Sequence, residues 1–502
     1  MLRRFLQNTA ISAIAYALAG ALGLFAVGLI ARSYGLAVLG LIVLVRTFLP
    51  TGLLAVIDLG ASEIATQSVA RGRAGDWSGA SEKVTLLSVI TAAIGICSGV
   101  ALWLGAEAIA ATFKVAADQV LPFVAILKVT AALLPIAFLG LVVEGVFKGF
   151  EQYGWLRATE VGSSAIYVLA VYLAVWRGAA FEWIAYWYLA TLIAKYLVLI
   201  VVLRLVTREA PLRIAMWSVE SRRDVLQRCW LMFNNRLAGV LQQTIIPIAI
   251  GVLYSPAEVG TYDLIMRLPR FMKTTMGPLY SAILPISSYI DETTDTRRMQ
   301  MLGRSGLVLP AAIVVPTLVV MALFSREILQ VWVGTQHADQ WPWLAMALLF
   351  PATTVMLGSG LTALVVRADF MRISNRLLYL QVVVQYLVTL VFLPWFREMA
   401  FIAGWVISSV VLSPVIAHYM LRAMGLKESL FWMQLARHVA VAAILAVAII
   451  LFKSFVATDG LVRLFLIGSL CCLLAWSLSA VVVLSRSDRA MFGRFARAMK
   501  LR

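Results

Sequence analysis

The amino-acid sequence predicts an all-α protein that crosses a membrane many times. Hydrophobic residues make up 62% of the 502-residue chain and charged residues only 13%, and apolar runs recur along its whole length. A transmembrane helix needs about 20 consecutive, mostly apolar residues, and many of these runs reach that length. The strict alternation of apolar and polar residues that a membrane barrel requires is absent. We therefore expect helices throughout.

The apolar runs divide into about 14 predicted spans of roughly 20 residues each. They cover residues 10–31, 38–60, 84–105, 121–147, 156–176, 183–203, 229–252, 258–285, 305–324, 342–366, 376–394, 399–421, 437–457 and 461–484. An even number of spans places both termini on one side of the membrane. The connections on that side hold about four times as many Lys and Arg residues as those on the other side, which predicts cytoplasmic termini.

The sequence excludes several classes of function. The net charge of +17 follows from the basic cytoplasmic connections and the basic tail, which is expected to lie on anionic membrane lipids, so no nucleic-acid partner is predicted. A nucleotide-binding GxxxxGK[ST] loop is absent, so the chain is not expected to hydrolyse ATP. The four cysteines show no CxxC spacing, and the three histidines have no catalytic neighbours. We therefore expect no enzyme activity, metal or cofactor.

Two similar segments indicate an internal repeat. A long basic loop over 204–228 separates six predicted spans from the rest, and short patterns then recur in the same order. The pairs are Leu18-Ala19-Gly20 with Leu237-Ala238-Gly239, then Tyr34, Ala37 and Gly40 with Tyr254, Ala257 and Gly260, and finally Arg46 with Arg267. The pattern predicts parallel six-helix lobes over 1–210 and 211–425, followed by two further helices and a basic cytoplasmic tail over 426–502.

Arg46 and Arg267 are the strongest candidates for a binding site. A charge at the centre of a span costs about 2.5–3.5 kcal/mol on insertion scales, and such residues usually line a substrate pathway. Arg270 and Lys273 extend the basic face of the helix that carries Arg267. Because arginine binds phosphate through two parallel hydrogen bonds, we expect an anionic group between these cations.

Each of these assignments has a structural alternative. Asp263 lies four residues before Arg267 and could neutralise it, which would leave Arg270 as the partner of Arg46. Arg46 could itself form a structural pair with another helix. Polar residues of the seventh span could line the cavity and bind sugar hydroxyls, or could join helices, while Arg236 could extend to the cytoplasmic surface. These polar residues include Asn235, Gln242 and Gln243.

Further charges lie in the first six spans. Asp58 is better explained by a cap or a loop salt bridge than by ion coupling. Glu144, Lys148 and Glu151 have the spacing of a local ion-pair ladder. Lys195 is either a buried structural charge or a residue of the cavity. Asp263, Asp58 and Glu144 are the candidates for coupling transport to an ion.

Five short motifs lie at residues 31–40, 57–60, 254–262, 266–271 and 284–285. They resemble those of bacterial polysaccharide flippases, which carry O-antigen or exopolysaccharide precursors, and the resemblance extends over about 10–420. These flippases form a branch of the multidrug/oligosaccharidyl-lipid/polysaccharide exporter superfamily. The resemblance implies a V-shaped, two-lobed transporter of the bacterial inner membrane that moves an undecaprenyl-diphosphate-linked oligosaccharide to the periplasmic leaflet by alternating access. A polysaccharide polymerase and export machinery are the implied protein partners.

The resemblance also bears on the cations. The related lipid II flippases use cationic residues in the first, second and eighth spans. Arg46 matches the second of these, and Arg267 or Arg270 matches the eighth. The first span departs from the pattern, since its only basic residue is Arg32 at the outer end.

Two other functions stay open. An ion-coupled antiporter of drugs or small molecules from the same superfamily would favour an acidic cavity rather than a basic one. A membrane-embedded polysaccharide polymerase, ligase or acyltransferase would need large external loops.

Overall fold

The computed structural model describes residues 2–73, 75–206, 212–275, 296–364, 367–455, 460–485 and 488–489. All secondary structure in these ranges is helical. The α-helices are α1 (Leu2–Thr47), α2 (Ala61–Arg73), α3 (Trp77–Thr112), α4 (Ala117–Gly149), α5 (Tyr153–Arg177), α6 (Phe181–Val206), α7 (Val219–Gly239), α8 (Ile245–Leu253), α9 (Pro256–Thr275), α10 (Thr296–Leu323), α11 (Ser325–Val333), α12 (Trp341–Ala347), α13 (Leu349–Leu364), α14 (Ala368–Phe396), α15 (Ala400–Ala423), α16 (Ser429–Lys453) and α17 (Leu461–Val482). A π-helical turn, Val240–Thr244, joins α7 to α8.

The predicted fold class is confirmed, but the number of spans is not. Within the described ranges, 11 segments are long and apolar enough to cross a membrane. One of them, Asp369–Ala423, contains both the eleventh and the twelfth predicted spans. The eighth predicted span overlaps α9 and then continues outside the described residues. Helices are the expected solution because the bilayer interior offers no hydrogen-bond partners to the backbone.

The second predicted span is a broken helix rather than a continuous one. It is α-helical only to Thr47, and the chain then passes through turns and a short 3-10 segment, Leu53–Val56, before α2 begins. Pro50 lies at the break and cannot donate a backbone hydrogen bond. Irregular backbone at membrane depth is tolerated where protein or a wet cavity surrounds it, so this break draws attention to the side chains nearby.

Gly35 interrupts α1 at the junction between the first two predicted spans. Its backbone angles are φ 81° and ψ 175°, inside a helix that is otherwise continuous from Leu2 to Thr47. This region of backbone space is essentially restricted to glycine. A Cβ built on Gly35 meets no atom within 4 Å, so only the backbone conformation, and not crowding, requires glycine here.

We expect Gly35→Ala to destabilise the protein by about 1–3 kcal/mol, the usual cost of a strained backbone conformation. Gly162→Ala is the matched control, because a Cβ on Gly162 also meets no atom within 4 Å but the residue lies inside α5. Alanine stabilises a helix interior, so the control should be neutral or slightly stabilising. Thermal unfolding of both purified variants in detergent checks this. Equal melting temperatures would contradict the assignment of strain to Gly35.

The chain folds into two compact units, Met1–Leu264 and Ile265–Arg502. In the first unit, α3 and α4 pack so closely that a Cβ on Gly95 or Gly99 would collide with the backbone of α4. In the second unit, α14 and α15 approach in the same way at Gly404, and the Trp405 ring lies 3.9 Å from that of Phe350. Small residues allow close helix approach in membranes, where no hydrophobic force drives association. The predicted segments 1–210, 211–425 and 426–502 stay a prediction.

Candidate functional site

Arg46, at the end of α1, lies against two tyrosine rings of the first unit. Its guanidinium carbon is 4.2 Å from the ring centroid of Tyr188 in α6 and 5.7 Å from that of Tyr167 in α5. The two rings meet edge to face with centroids 5.5 Å apart. Cation–π contacts of this kind strengthen when water is removed. The rings therefore hold the Arg46 side chain inside a span at a fixed place.

One donor of the Arg46 guanidinium is unused. A stacked arginine uses its face against the ring, while its donors lie in the guanidinium plane. The Arg46 Nε atom is buried and has no hydrogen-bond partner among the described residues. A buried donor without a partner costs about 1–3 kcal/mol, so an incoming acceptor would recover this free energy. Binding of an anion by Arg46 stays a prediction.

Asp263 in α9 interacts electrostatically with Arg46. Its side chain is buried, with 2% exposure. The sequence left open whether Asp263 neutralises Arg267 and whether Arg46 pairs with another helix. The electrostatic interaction with an acid of α9 agrees with the second alternative, and the first stays a prediction. Sequence spacing within one helix cannot reveal such a contact.

Two glycines bring α1 and α9 together near this pair. A Cβ on Gly40 would collide with the carbonyl oxygen of Pro256, and a Cβ on Gly260 would collide with the carbonyl oxygen of Leu36. The two backbones are therefore in direct contact. Gly40 and Gly260 are also the residues that the predicted repeat places in equivalent positions. Arg46 and Asp263 follow these glycines by six and three residues along their helices.

The cations of α9 beyond Asp263 lie in the second unit. Arg267, Arg270 and Lys273 are all partly buried, and the two arginines each have interaction partners. The ammonium group of Lys273 lies 5.0 Å from the ring centroid of Phe350. Helical spacing places the three cations on one face, as the sequence predicted. Their role as the second wall of a cavity stays a prediction.

A second charged cluster lies at the break between α1 and α2. Asp58 accepts a hydrogen bond of 2.8 Å from the backbone of Gly60 and pairs with Arg236 at 2.9 Å. Arg236 also pairs with Glu63 at 2.9 Å. The Asp58 side chain is 4% exposed and that of Arg236 28%. The structure thus places Asp58 in the salt bridge favoured by the sequence. Two carboxylates hold Arg236, and its extension to the cytoplasmic surface stays a prediction.

The predicted ion-pair ladder on α4 is also wrong. Glu144 pairs with Lys195 of α6 at 2.6 Å, and both side chains are 15% exposed. Lys148 donates a 2.9 Å hydrogen bond to the Ser62 hydroxyl, and Glu151 pairs with Arg73 at 3.2 Å. Glu144 contacts α6, while Lys148 and Glu151 both contact α2, so each of the three has its partner on another helix rather than along its own surface. Lys195 is thus partly buried in an ion pair, and its place in the lining of a cavity stays a prediction.

The polar residues of the seventh span occupy the π-helical turn. Gln242 is buried and has interaction partners, and Gln243 is partly buried. Both lie within Val240–Thr244, and single π-helical turns often mark functional positions. The side chains of Asn234 and Asn235 lie outside the described residues. Cavity lining by Gln242, Gln243 and Asn235 stays a prediction.

Sequence reasoning missed the aromatic partners of Arg46. Tyr167 lies near the middle of a predicted span, away from the membrane interfaces where tyrosine is usually enriched, and this position was a usable signal. It also missed Arg157 and Glu160, which pair at 2.5 Å on α5. The Arg157 guanidinium carbon lies 4.2 Å from the ring centroid of Tyr16, so the first unit holds a second stacked arginine.

Comparison with known proteins gives a family and a fold. The family described as polysaccharide biosynthesis protein matches residues 5–291. Comparison with curated protein sequences gave no match. A structure of the lipid II flippase MurJ in an inward closed conformation has a TM-score of 0.69 at 12% identity, covering 94% of this chain and 98% of that one.

Multidrug transporters share the same fold. An inward-facing multidrug resistance MATE family transporter of the MOP superfamily has a TM-score of 0.59 at 13% identity, covering 83% of this chain and 94% of that one. A eukaryotic MATE transporter has a TM-score of 0.54 at 15% identity, with coverages of 84% and 97%. At these identities the similarity shows the fold, which is that of multi-pass membrane transporters.

Proposed function

Because the chain belongs to the polysaccharide biosynthesis protein family, we propose that it is a flippase for an undecaprenyl-diphosphate-linked oligosaccharide. The cargo moves from the cytoplasmic to the periplasmic leaflet of a bacterial inner membrane by alternating access, with both termini of the protein in the cytoplasm. The observation that carries the proposal is Arg46, an arginine stacked on Tyr188 inside a membrane span.

The chemistry of the diphosphate fits this arginine. A stacked guanidinium presents parallel N–H donors to two phosphate oxygens, which gives both charge and geometry. Arg267, Arg270 and Lys273 on α9 are proposed to contact the same headgroup during transport. Gln242, Gln243 and Asn235 are proposed to bind sugar hydroxyls, while the polyprenyl tail stays in the lipid.

Ion coupling is assigned to carboxylates of the first unit. Asp263, Asp58 and Glu144 lie within or beside membrane spans, where ionisable residues usually serve a function. Asp58 and Glu144 are held in ion pairs with Arg236 and Lys195, so protonation of either would break a buried contact. Lipid-linked intermediates imply a polymerase and export machinery that act on the delivered cargo.

An ion-coupled antiporter of cationic drugs is the second candidate. Its support is the shared fold with MATE transporters and the buried carboxylates of Asp58 and Asp263. The stacked Arg46 argues against it, since a fixed cation repels a cationic substrate. The buried carboxylate of Asp263 reduces that repulsion, so transport has to be measured.

A reconstituted assay separates the two candidates. The purified full chain is placed in liposomes that contain either undecaprenyl-diphosphate-linked or undecaprenyl-monophosphate-linked sugar. Exposure of the sugar to an added impermeant lectin is followed over time, and uptake of a cationic dye is measured in parallel. We expect faster exposure of the diphosphate lipid than of the monophosphate lipid and no dye transport. Gradient-driven dye transport without lipid exposure would reject the flippase.

A further inference from the structure

We propose that α7 and the extended segment before it carry a docking surface for anionic phospholipid headgroups at the edge of the bilayer. This interfacial surface consists of Ile214, Met216, Arg222, Arg223, Leu226 and Trp230. It lies within the first compact unit. Its occupant is the lipid around the protein and not the cargo, so it goes beyond the proposed function and does not depend on it.

Backbone hydrogen bonds hold the segment before α7 against the beginning of α3. The amide of Arg213 donates to the Ser81 hydroxyl at 3.2 Å. The amide of Ala215 donates to the Thr85 hydroxyl, also at 3.2 Å. These two contacts fix the segment on α3, so the exposure of the side chains beside them is a property of the fold.

A salt bridge gives the level of α7 relative to the bilayer. Lys83 of α3 pairs with Asp224 of α7 at 2.6 Å. After Lys83, the run 84–106 holds no charged residue and measures about 35 Å as a helix, close to the ~30 Å of a hydrocarbon core. Asp224 therefore lies at the boundary between headgroups and hydrocarbon. Arg222 and Arg223 immediately precede it, at the level of the headgroup phosphates.

Four apolar side chains near this boundary are exposed outside the candidate spans. Ile214 and Met216 are 95% and 91% exposed. Leu226 and Trp230 are 51% and 65% exposed. All four precede Arg236, where the next candidate span begins. In water they would form an apolar patch, and such patches mark the places where a protein meets a partner or a membrane. A bilayer boundary at the level of the salt bridge covers them.

α7 divides into a face for the protein and a face for the membrane. At 100° per residue, its four residues of the interfacial surface fall within an arc of roughly 100°, and all four are exposed. Leu226 and Trp230 form the middle of this arc, while Arg222 and Arg223 lie at its two edges. Asp224 points to the other side of the helix, where its salt bridge holds α7 on α3.

The charges of the exposed face select an anionic lipid as its occupant. An apolar centre flanked by arginines is typical of helices that lie in the membrane interface. Arginine stems pack beside apolar residues while their guanidinium groups bind phosphate oxygens. Glu220 and Asp224 lie outside the arc, so no acid offsets its positive charge. A second copy of this chain would bring like charge to the contact, whereas an anionic phospholipid supplies opposite charge and an apolar tail.

The first test measures lipid binding by native mass spectrometry of the purified full chain, titrated in detergent with phosphatidylglycerol or phosphatidylcholine. We expect the wild type to bind phosphatidylglycerol more tightly. A basic residue near an anionic surface strengthens binding about fivefold. Arg222→Gln combined with Arg223→Gln should therefore weaken phosphatidylglycerol binding about 25-fold and leave phosphatidylcholine binding unchanged.

Two sets of variants control this measurement. Arg222→Lys combined with Arg223→Lys keeps the charge and should keep most of the affinity. Arg177→Gln combined with Arg326→Gln removes two exposed arginines elsewhere and should not change the affinity. Where the double glutamine variant does not fold, as judged by its melting curve, Arg222→Gln alone replaces it, with an expected loss of about fivefold.

The second test locates the extended segment relative to the bilayer. A fluorophore is attached to Ile214→Cys after Cys97→Ser and Cys472→Ser remove the native cysteines that are not fully buried. In liposomes, brominated phosphatidylglycerol should quench this label strongly, because Ile214 projects into the boundary between headgroups and acyl chains. The matched label at Glu220→Cys is also exposed but lies outside the arc, and its quenching should be several-fold weaker.

The other outcomes each reject the inference. Equal affinity of the wild type for the two lipids, or phosphatidylglycerol binding that survives the loss of the arginine charge, would show that this face does not select anions. A label at Ile214 that is quenched no more than the one at Glu220 would place the segment in water. A dimer in the mass spectrum that Leu226→Ser removes would reassign the face to a second copy. The cargo enters neither measurement, so the flippase is tested separately.

Discussion

Arg46→Ala is expected to reduce flipping of the diphosphate-linked lipid by at least about 100-fold. Hydrogen bonds to charged groups contribute about 1.5–3 kcal/mol each, and a bidentate contact with phosphate loses two of them. The rate of lectin exposure in liposomes, normalised to the amount of folded protein, measures the effect.

Two further variants give this prediction its controls. Arg46→Lys keeps the charge but lacks the planar fork and stacks less well, so we expect an intermediate loss of about tenfold. Arg177→Ala removes a basic residue from the exposed end of α5 and should leave the rate unchanged. A folded Arg46→Ala variant that flips lipid at the wild-type rate would remove the basis of the proposed site.

The second large effect is expected at the break between α1 and α2. Arg236→Ala should destabilise the protein by about 3–5 kcal/mol, because it leaves the buried carboxylate of Asp58 without its charged partner. The same substitution also removes the partner of Glu63, but Glu63 is largely exposed, so this loss should add little to the destabilisation. Denaturation of the purified protein in mixed micelles, followed by circular dichroism, measures the change in unfolding free energy.

A matched pair of variants isolates the buried contact. Glu63→Gln removes the exposed acid from the same arginine and should cost less than about 1 kcal/mol. Asp58→Asn combined with Arg236→Ala should recover part of the stability lost in Arg236→Ala, since no buried charge then lacks a partner. Equal losses for Arg236→Ala and Glu63→Gln would show that Asp58 does not depend on this salt bridge.

The sequence was sufficient to predict the helical fold, because a long apolar run inside a bilayer can make all its backbone hydrogen bonds within itself as a helix. It placed the helices well where one apolar run fills the whole segment, as in α4 and α17. It was wrong over 38–60, where hydropathy continues across Pro50 and Gly52 although the helix stops at Thr47. Local backbone conformation at such residues does not alter mean hydropathy, so the break was hidden.

The candidate site was harder to predict than the fold. Arg46 was found because its charge stands out in an apolar run, but its aromatic partners Tyr167 and Tyr188 lie far away in sequence. The pairing of Asp58 with Arg236 joins residues that four predicted spans separate. Spacing along one helix predicts only contacts within that helix, which is why the ladder on α4 was wrong.

The crossing of Gly40 with Gly260 limits what either position can hold. A Cβ on Gly40 would lie 1.7 Å from the carbonyl oxygen of Pro256, and one on Gly260 would lie 2.0 Å from that of Leu36. Backbone atoms cannot turn aside as the end of a flexible side chain can, so any larger residue at either position has to move α1 away from α9. A substitution at one glycine therefore cannot be offset by a change of side chain on the other helix.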